Sequence, residues 1–213
     1  MPRKSYRIFL LSPARAGGLR TQMLCSPRAE FDLAKRLREE GATIGEVFAF
    51  LSGLYFRGKL TYSIRFARAP KNVYPIWVIT SNRGLIPANT VVTPDQLAAF
   101  GDDPIDPTNH RYTNALKQSA SELLNHLPAQ TDVVLLGSIG TKKYVELLQD
   151  IFGAKLKFPP DFVGRGDMSR GGLLLRCAEA GRELEYVSLS GAIRHGKRPP
   201  KLEPRRYPKG SPI

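Results

Sequence analysis

The chain has 213 residues, of which 42% are hydrophobic, and its formal net charge is +13. This length and apolar content allow a single compact domain with a full core. The two cysteines, Cys25 and Cys177, exclude a disulfide framework, and with only three histidines we expect neither a metal nor a cofactor. The sequence shows no secretory signal and no apolar run of membrane-spanning length, so we expect a cytoplasmic protein that does not bind membranes.

Most of the excess positive charge lies in the two ends of the chain. Residues 1–20 contain five basic residues and no acid, and residues 194–213 contain seven basic residues and one glutamate. If the fold brings the ends together, they form one positive face of the kind that binds nucleic acid. The alternative is a basic tail that serves only solubility. We favour a nucleic-acid partner, DNA before RNA, and find no sign of an obligate protein partner.

Short apolar runs predict four buried strands, at residues 6–11, 76–80, 133–136 and 184–189. Helical patterns alternate with them, at residues 29–40, 44–55, 113–127, 142–152 and 171–180. This order predicts an α/β fold of three layers, in which helices cover both faces of a four-stranded, mostly parallel sheet. We assign residues 1–198 to this single domain and the basic, proline-rich residues 199–213 to an extended tail.

Each predicted strand is followed by a loop that contains small residues and at least one cation. Because the carboxyl ends of parallel strands meet at one edge of a sheet, these loops jointly predict a phosphate-lined cleft. Taken singly, each loop is more simply explained as a turn that needs glycine. The loop residues expected to bind substrate are Ser12, Arg15, Gly17, Gly18, Arg20, Arg83, Ser138, Ser190, Arg194 and Lys197.

The loop ahead of the last predicted helix combines two acids, two arginines and four glycines. One interpretation makes Asp167 or Ser169 the N-cap of that helix. The other interpretation places Arg165 and Arg170 on phosphates and leaves Asp161 or Asp167 for catalysis. The two interpretations are compatible, and we keep both.

The third predicted strand and its loop, residues 132–138, resemble the corresponding part of the uracil-DNA glycosylase superfamily, in which an aliphatic run ends in Leu-Gly. The loop at residues 12–20 falls where that family carries its water-binding motif, and Asn82 falls at the position of its base-reading asparagine. Residues 188–191 fall where the family has its His-Pro-Ser leucine loop. Residues 77–87, which contain Ser-x-x-Gly-Leu-x-Pro, also resemble the core of archaeosine synthases and related nucleic-acid-modification proteins.

This resemblance implies a monofunctional DNA glycosylase that flips out a base and excises it. The first loop lacks Gly-Gln-Asp-Pro-Tyr and the fourth lacks His-Pro-Ser. These departures imply a non-standard or modified base as the substrate, in repair or in antiviral defence. Two alternatives remain open, a non-catalytic nucleic-acid-binding module on the same scaffold and an RNA base-modification enzyme.

Cleavage of an N-glycosidic bond needs a group that orients water and donors that stabilise the departing base. The catalytic candidates are Asp167, Asp161, Asn82 and His195. Tyr55 and Arg57 are candidates for a stacking ring and a cation beside the flipped base. The simpler interpretation of Tyr55 and Arg57 is an aromatic core residue close to an exposed arginine. The simpler interpretation of His195 is a histidine within a solvated basic tail.

Overall fold

The structure, a computed structural model, describes residues 5–140 and 142–203. Several of the basic residues noted at the chain ends lie outside the described residues. These are Arg3, Lys4, Arg205, Arg206 and Lys209.

The fold is α/β, with a mostly parallel six-stranded sheet in the order β4-β3-β1-β6-β7-β8. The strands of the described residues are β1 (Tyr6–Leu11), β2 (Ala42–Thr43), β3 (Ile76–Ile79), β4 (Leu85–Pro87), β5 (Val91–Val92), β6 (Thr131–Leu136), β7 (Leu156–Phe158) and β8 (Val187–Ser188). Strands β3, β1, β6 and β7 run parallel, and β2 pairs with β5 in a separate two-stranded sheet. The parallel α/β prediction is therefore confirmed.

The predicted number of four strands is wrong, because the sheet also contains β4 and β7, and its two edge strands run antiparallel to their neighbours. Strand β4 turns back along β3 after a tight turn at Gly84, and β8 turns back along β7. Strands β4 and β7 have only three residues each, too few for a periodic apolar signal. The predicted fourth strand, residues 184–189, shrinks to the two residues of β8.

The helices of the described residues are α1 (Leu19–Cys25), α2 (Asp32–Glu39), α3 (Ile44–Ser52), α4 (Leu54–Phe66), α5 (Pro94–Asp102), α6 (His110–Asn125), α7 (Val145–Phe152) and α8 (Asp167–Glu179). Short 3-10 turns cover Gly153–Lys155 and Pro160–Phe162. Five of the α-helices overlap the predicted ranges, and α1, α4 and α5 were not predicted. No helix of the described part is both long and apolar enough to cross a membrane.

Helices pack on both faces of the sheet because the side chains of each strand alternate in direction. Phe9 and Leu11 of β1 point to one face, where they join a core with α3, α4 and α8. Ile8 and Leu10 point to the other face, where they join a core with α6 and α7. Central strands buried on both sides explain the continuous apolar runs in the sequence.

Helix α4 follows α3 directly, after a reversal at Gly53, whose φ is +62°. It then crosses α8 at very short range, where Gly58 meets Gly171. A Cβ atom placed on Gly58 would lie 2.6 Å from the carbonyl oxygen of Gly171. The two glycines thus bring the backbones of the helices together and fix the position of α4 beneath the carboxyl edge of the sheet.

The last described segment folds back on the domain. Leu202 packs against the core near Gly172, and the guanidinium of Arg176 donates to the backbone oxygen of Glu203. Residues 199–203 contain neither helix nor strand. The remainder of the predicted extended tail lies outside the described residues.

Candidate active site

A cavity of about 780 Å³ lies at the carboxyl ends of β1 and β6. The loop after β1 forms one wall, and Ser138 of the loop after β6 lies beside it. The end of α5 and the segment that follows it form the opposite wall, and Asp167 at the start of α8 completes the lining. The cavity therefore lies where ligands bind in open parallel sheets.

Six of the residues singled out in the sequence meet in this cavity. They are Ser12, Arg15, Gly17, Tyr55, Ser138 and Asp167. They come from loops and helix starts that are far apart in the chain, so the sheet brings together what the sequence separates.

Asn82 does not line the cavity but supports its wall. Its side-chain amide donates to the carbonyl oxygen of Ala99 at 2.9 Å and to a carboxylate oxygen of Asp103 at 2.8 Å. Asp103 lines the cavity and also pairs with Arg111 at 3.3 Å. The amide is thus occupied in holding the end of α5, which argues against the predicted catalytic role of Asn82.

The arginines of the loop before α8 are also engaged within the protein. The Arg170 side chain is buried and donates to the carbonyl oxygen of Phe162 and to Asp167, the latter at 3.3 Å. Arg165 donates to the backbone oxygen of Asp161 at 3.0 Å and to Ser169 at 3.2 Å. The expectation that both arginines contact phosphates is not supported by these contacts, and Asp161 lies outside the cavity lining.

The predicted N-cap of α8 is wrong as well. The helix begins earlier than expected, and its N-cap is Gly166, which has no capping side chain. Asp167 is therefore the first helical residue, and Ser169 accepts a hydrogen bond from Arg165 instead. As a result, Asp167 is not needed as a cap.

Four further residues that were predicted to bind substrate do not line the cavity. Gly18 and Arg20 line an adjoining depression that shares Arg15 and Gly17 with the cavity. Arg20 donates to the carbonyl oxygen of Phe50 at 2.8 Å, near the end of α3. The other two, Arg57 and Arg83, are exposed away from the lining.

The loop after β8 departs from the opposite end of the sheet, because β8 runs antiparallel to β7. Ser190, Arg194, His195 and Lys197 are consequently absent from the cavity lining. The chain returns far enough to place the exposed His195 ring against Gly140, in the loop after β6. His195 therefore borders the carboxyl edge, but it does not line the cavity.

A lysine missed by sequence reasoning lies directly beneath the cavity. Lys59 of α4 is 1% exposed, and its Nζ donates to the backbone oxygen of Ser12 at 2.5 Å and to Ser12 Oγ at 2.8 Å. The ammonium also lies over the rings of Tyr55 and Phe56, at 4.5 and 4.6 Å from the ring centroids. No carboxylate of the described residues forms an ion pair with it.

Burial lowers the pKa of Lys59 to about 7, because the charged ammonium is removed from water. The carboxylate of Asp167 acts in the opposite direction and the Arg170 guanidinium acts in the same direction as burial. The lysine is therefore divided between its charged and neutral forms near neutral pH. A buried amine with such a pKa is typical of functional sites, although structural networks also produce one.

Two tyrosines complete the floor and wall of the cavity. Tyr144 donates from its hydroxyl to the carbonyl oxygen of Ser138 at 3.0 Å, and burial raises its pKa, while Ser12 acts to lower it. A Cβ atom on Gly137 would lie 2.8 Å from both Ser12 Cβ and Tyr144 Oη, so only glycine allows these side chains to converge. The buried hydroxyl of Tyr55 makes no hydrogen bond of normal geometry among the described residues; burial raises its pKa, and the nearby guanidinium of Arg170 acts to lower it.

The cavity contains three carboxylates, and their surroundings differ. Asp103 is held by Asn82 and Arg111, and Asp106 accepts hydrogen bonds from Thr108, which lower the pKa of Asp106. The Asp167 side chain is 66% exposed, and its one ion pair is the contact with Arg170. Asp106 is exposed as well, so Asp167 and Asp106 are the two cavity carboxylates that a ligand can reach, and Asp167 is the one that the sequence singled out.

The charge of the lining differs from the predicted phosphate-lined cleft. Arg15 and Lys143 are the cations of the lining, and both are exposed. Arg7 of the basic N-terminal end is paired with Glu183 and lies over the Tyr186 ring. Among the described residues, no three His, Cys, Asp or Glu side chains converge as metal ligands. The lining thus holds three carboxylates and two exposed cations instead of the predominantly cationic surface that was predicted.

Comparisons with protein-family models, with curated proteins and with solved structures find no match to this chain.

Proposed function

We propose that this protein hydrolyses the N-glycosidic bond of a non-standard or modified base that is flipped out of DNA. The observation that carries the proposal is the combination, in one cavity, of an available carboxylate, Asp167, with the buried hydroxyl of Tyr55, which makes no hydrogen bond of normal geometry among the described residues. A buried hydroxyl without such a bond is unfavourable, so its presence in a cavity wall favours a ligand that supplies the missing hydrogen bond.

The size of the cavity and its two exposed cations support a nucleotide as the ligand. A volume of about 780 Å³ falls within the range of small-molecule sites. A flipped base is uncharged and fits the interior, while its flanking phosphates stay outside the cavity, next to Arg15 and Lys143. His195, in the basic loop after β8, lies at the same edge against Gly140.

The chemistry assigned to Asp167 follows from the charges of the reaction. As the glycosidic bond breaks, positive charge develops on the sugar and negative charge develops on the base. A carboxylate beside the sugar stabilises that positive charge and accepts a proton from the attacking water. Asp167 lies in the first turn of α8, where the helix dipole interacts favourably with a negative charge.

The test is incubation of the purified protein with duplexes that contain uracil, alkylated bases or hypermodified bases, followed by alkaline cleavage at abasic sites. We expect abasic sites on at least one modified substrate. Asp167→Asn should bind the same DNA with unchanged affinity and release base about 100-fold more slowly, equivalent to about 3 kcal/mol of transition-state stabilisation. The matched control is Asp150→Asn, at an exposed position on α7, which should retain the wild-type rate.

Two outcomes would overturn the proposal in different directions. Tight binding without abasic sites on any substrate would favour a non-catalytic nucleic-acid-binding module. Stronger competition by tRNA than by duplex DNA would indicate recognition of the 2′-hydroxyl and an RNA substrate.

A further inference from the structure

When Lys59 is charged, its contact with Ser12 fixes the direction in which the serine hydroxyl can donate. Nζ of Lys59 donates to both oxygens of Ser12, so the serine hydroxyl oxygen is an acceptor on its buried side. Its own proton is consequently donated on the other side, where Ser12 lines the cavity and hydrogen-bonds the Tyr144 hydroxyl. Tyr144 already donates to the Ser138 carbonyl and can accept at its hydroxyl oxygen when no ligand is present.

The surroundings of Lys59 argue against a purely structural role. An ammonium that is buried without an anionic partner is strongly unfavourable, and an apolar side chain in this place would avoid that penalty. The groups that face it are Asp167 and Arg170 from α8, Tyr55 from its own helix and Ser12 from the loop after β1. Among the residues that the structure describes, the hydrogen bonds of the ammonium thus lead only to Ser12, and through Ser12 to the cavity.

We propose that Ser12 is the proton donor to the departing base and that Lys59 is the positioning residue that recharges it. This inference rests on the proposed function and extends it to the leaving group. As the bond between C1′ and the base nitrogen breaks, its electron pair stays on the base. Ser12 Oγ gives its proton to the base and takes a proton from the Lys59 ammonium, which becomes neutral. Water adds to C1′ and passes its proton to Asp167. Proton exchange with solvent then returns Asp167 to the carboxylate and Lys59 to the ammonium.

The opposite assignment makes a different prediction. A neutral Lys59 would remove the proton from Ser12, and Ser12 would attack C1′ and form a covalent bond with the sugar. In that case the rate would rise with pH through neutrality. A donor relay requires the charged lysine, so its rate falls as pH rises above about 7.

The experiment is the single-turnover rate of base release against pH for the wild type, Ser12→Ala and Lys59→Met, with the modified-base duplex that the wild type cleaves. We expect both variants to lose about 100-fold in rate at pH 6, within the range of general-acid catalysis. In both variants the rate of base release should also no longer fall as the pH rises above about 7. Ser63→Ala is the matched control, because Ser63 is a fully buried serine on α4 that does not line the cavity.

Ser12→Ala keeps the inference testable if Lys59→Met does not fold, because it removes one hydroxyl and leaves the buried lysine in place. Wild-type rates in Ser12→Ala, or an unchanged alkaline decline in a folded Lys59→Met, would overturn the relay and leave the glycosylase proposal intact. A sugar adduct on Ser12, with a rate that rises through pH 7, would replace the relay by nucleophilic attack. If the wild type releases no base from any substrate, both proposals fail together.

Discussion

Replacing Lys59 by methionine should stabilise the protein at acidic pH and much less at alkaline pH. Methionine has nearly the same length and is unbranched, so it fills the space between Tyr55 and Phe56 without introducing a charge. The folded state lowers the pKa of Lys59 from 10.5 to about 7. Below pH 7 both the folded and the unfolded states bind the proton, and the full penalty of the buried charge applies.

The size of the effect follows from that difference in pKa. At pH 6 the buried charge destabilises the wild type by about 5 kcal/mol. At pH 9 the folded state is neutral and the unfolded state is still charged, so folding must remove the proton from Lys59, which destabilises the wild type by about 2 kcal/mol. Methionine also loses the two hydrogen bonds to Ser12, which costs about 1–3 kcal/mol at either pH. This second contribution cancels when the two pH values are compared. The stability advantage of the variant should therefore be larger at pH 6 than at pH 9 by about 3 kcal/mol.

The assay is equilibrium unfolding in denaturant at both pH values, followed by the fluorescence of the single tryptophan. Trp77 lies half-buried in β3 and donates from its indole nitrogen to the Tyr74 carbonyl, so it reports loss of the central sheet. Lys71→Met, at an exposed lysine, is the control and should change the free energy of unfolding equally at both pH values. An equal difference at pH 6 and pH 9 for Lys59→Met would refute the argument that Lys59 is charged at a desolvated position.

Two further predictions concern the helix crossing and the basic segment. Gly58→Ala should destabilise the protein by about 1–3 kcal/mol, because its Cβ atom would collide with the Gly171 carbonyl, and denaturant unfolding measures the loss; wild-type stability would mean that the helices separate easily. Truncation after Glu203 keeps the packing of Leu202. In a plot of log DNA affinity against log salt concentration, the truncated chain should show a slope that is shallower by about 0.9 for each phosphate that it no longer neutralises. An unchanged slope in a salt titration would show that the removed residues do not bind DNA.

The sequence carried enough information to predict the centre of the fold. Strands β1, β3 and β6 are continuous apolar runs, because each is buried on both faces, and α2, α6 and α7 show the amphipathic period of helices with one buried side. The alternation of strands and helices along the chain predicts a parallel sheet with a site at its carboxyl edge. Ser12, Tyr55 and Asp167 were expected there, and the structure places them in one cavity.

Helix α4 is missing from the sequence prediction because two glycines, Gly53 and Gly58, resemble helix breakers. Gly53 reverses the chain between two helices, and Gly58 lies inside a helix where α8 approaches. Lys59 follows one residue later, on the same buried stripe as Tyr55 and Tyr62. The spacing of Lys59 from Tyr55 and Tyr62 could have revealed this position, because residues three or four apart lie on the same face of a helix.

By itself, the sequence determined which segments are buried and which kind of sheet they form, because burial and periodicity are local properties of the chain. Only the tertiary structure decided which polar groups meet. The sequence separates Lys59 from Ser12 by 47 positions and does not show whether a lysine on an apolar stripe extends to solvent or stays buried. That choice depends on the Gly58–Gly171 crossing, which closes the space around the ammonium. The direction of β8 likewise depends on pairing with β7, and it removed Ser190 and Lys197 from a cavity that their loop was expected to line.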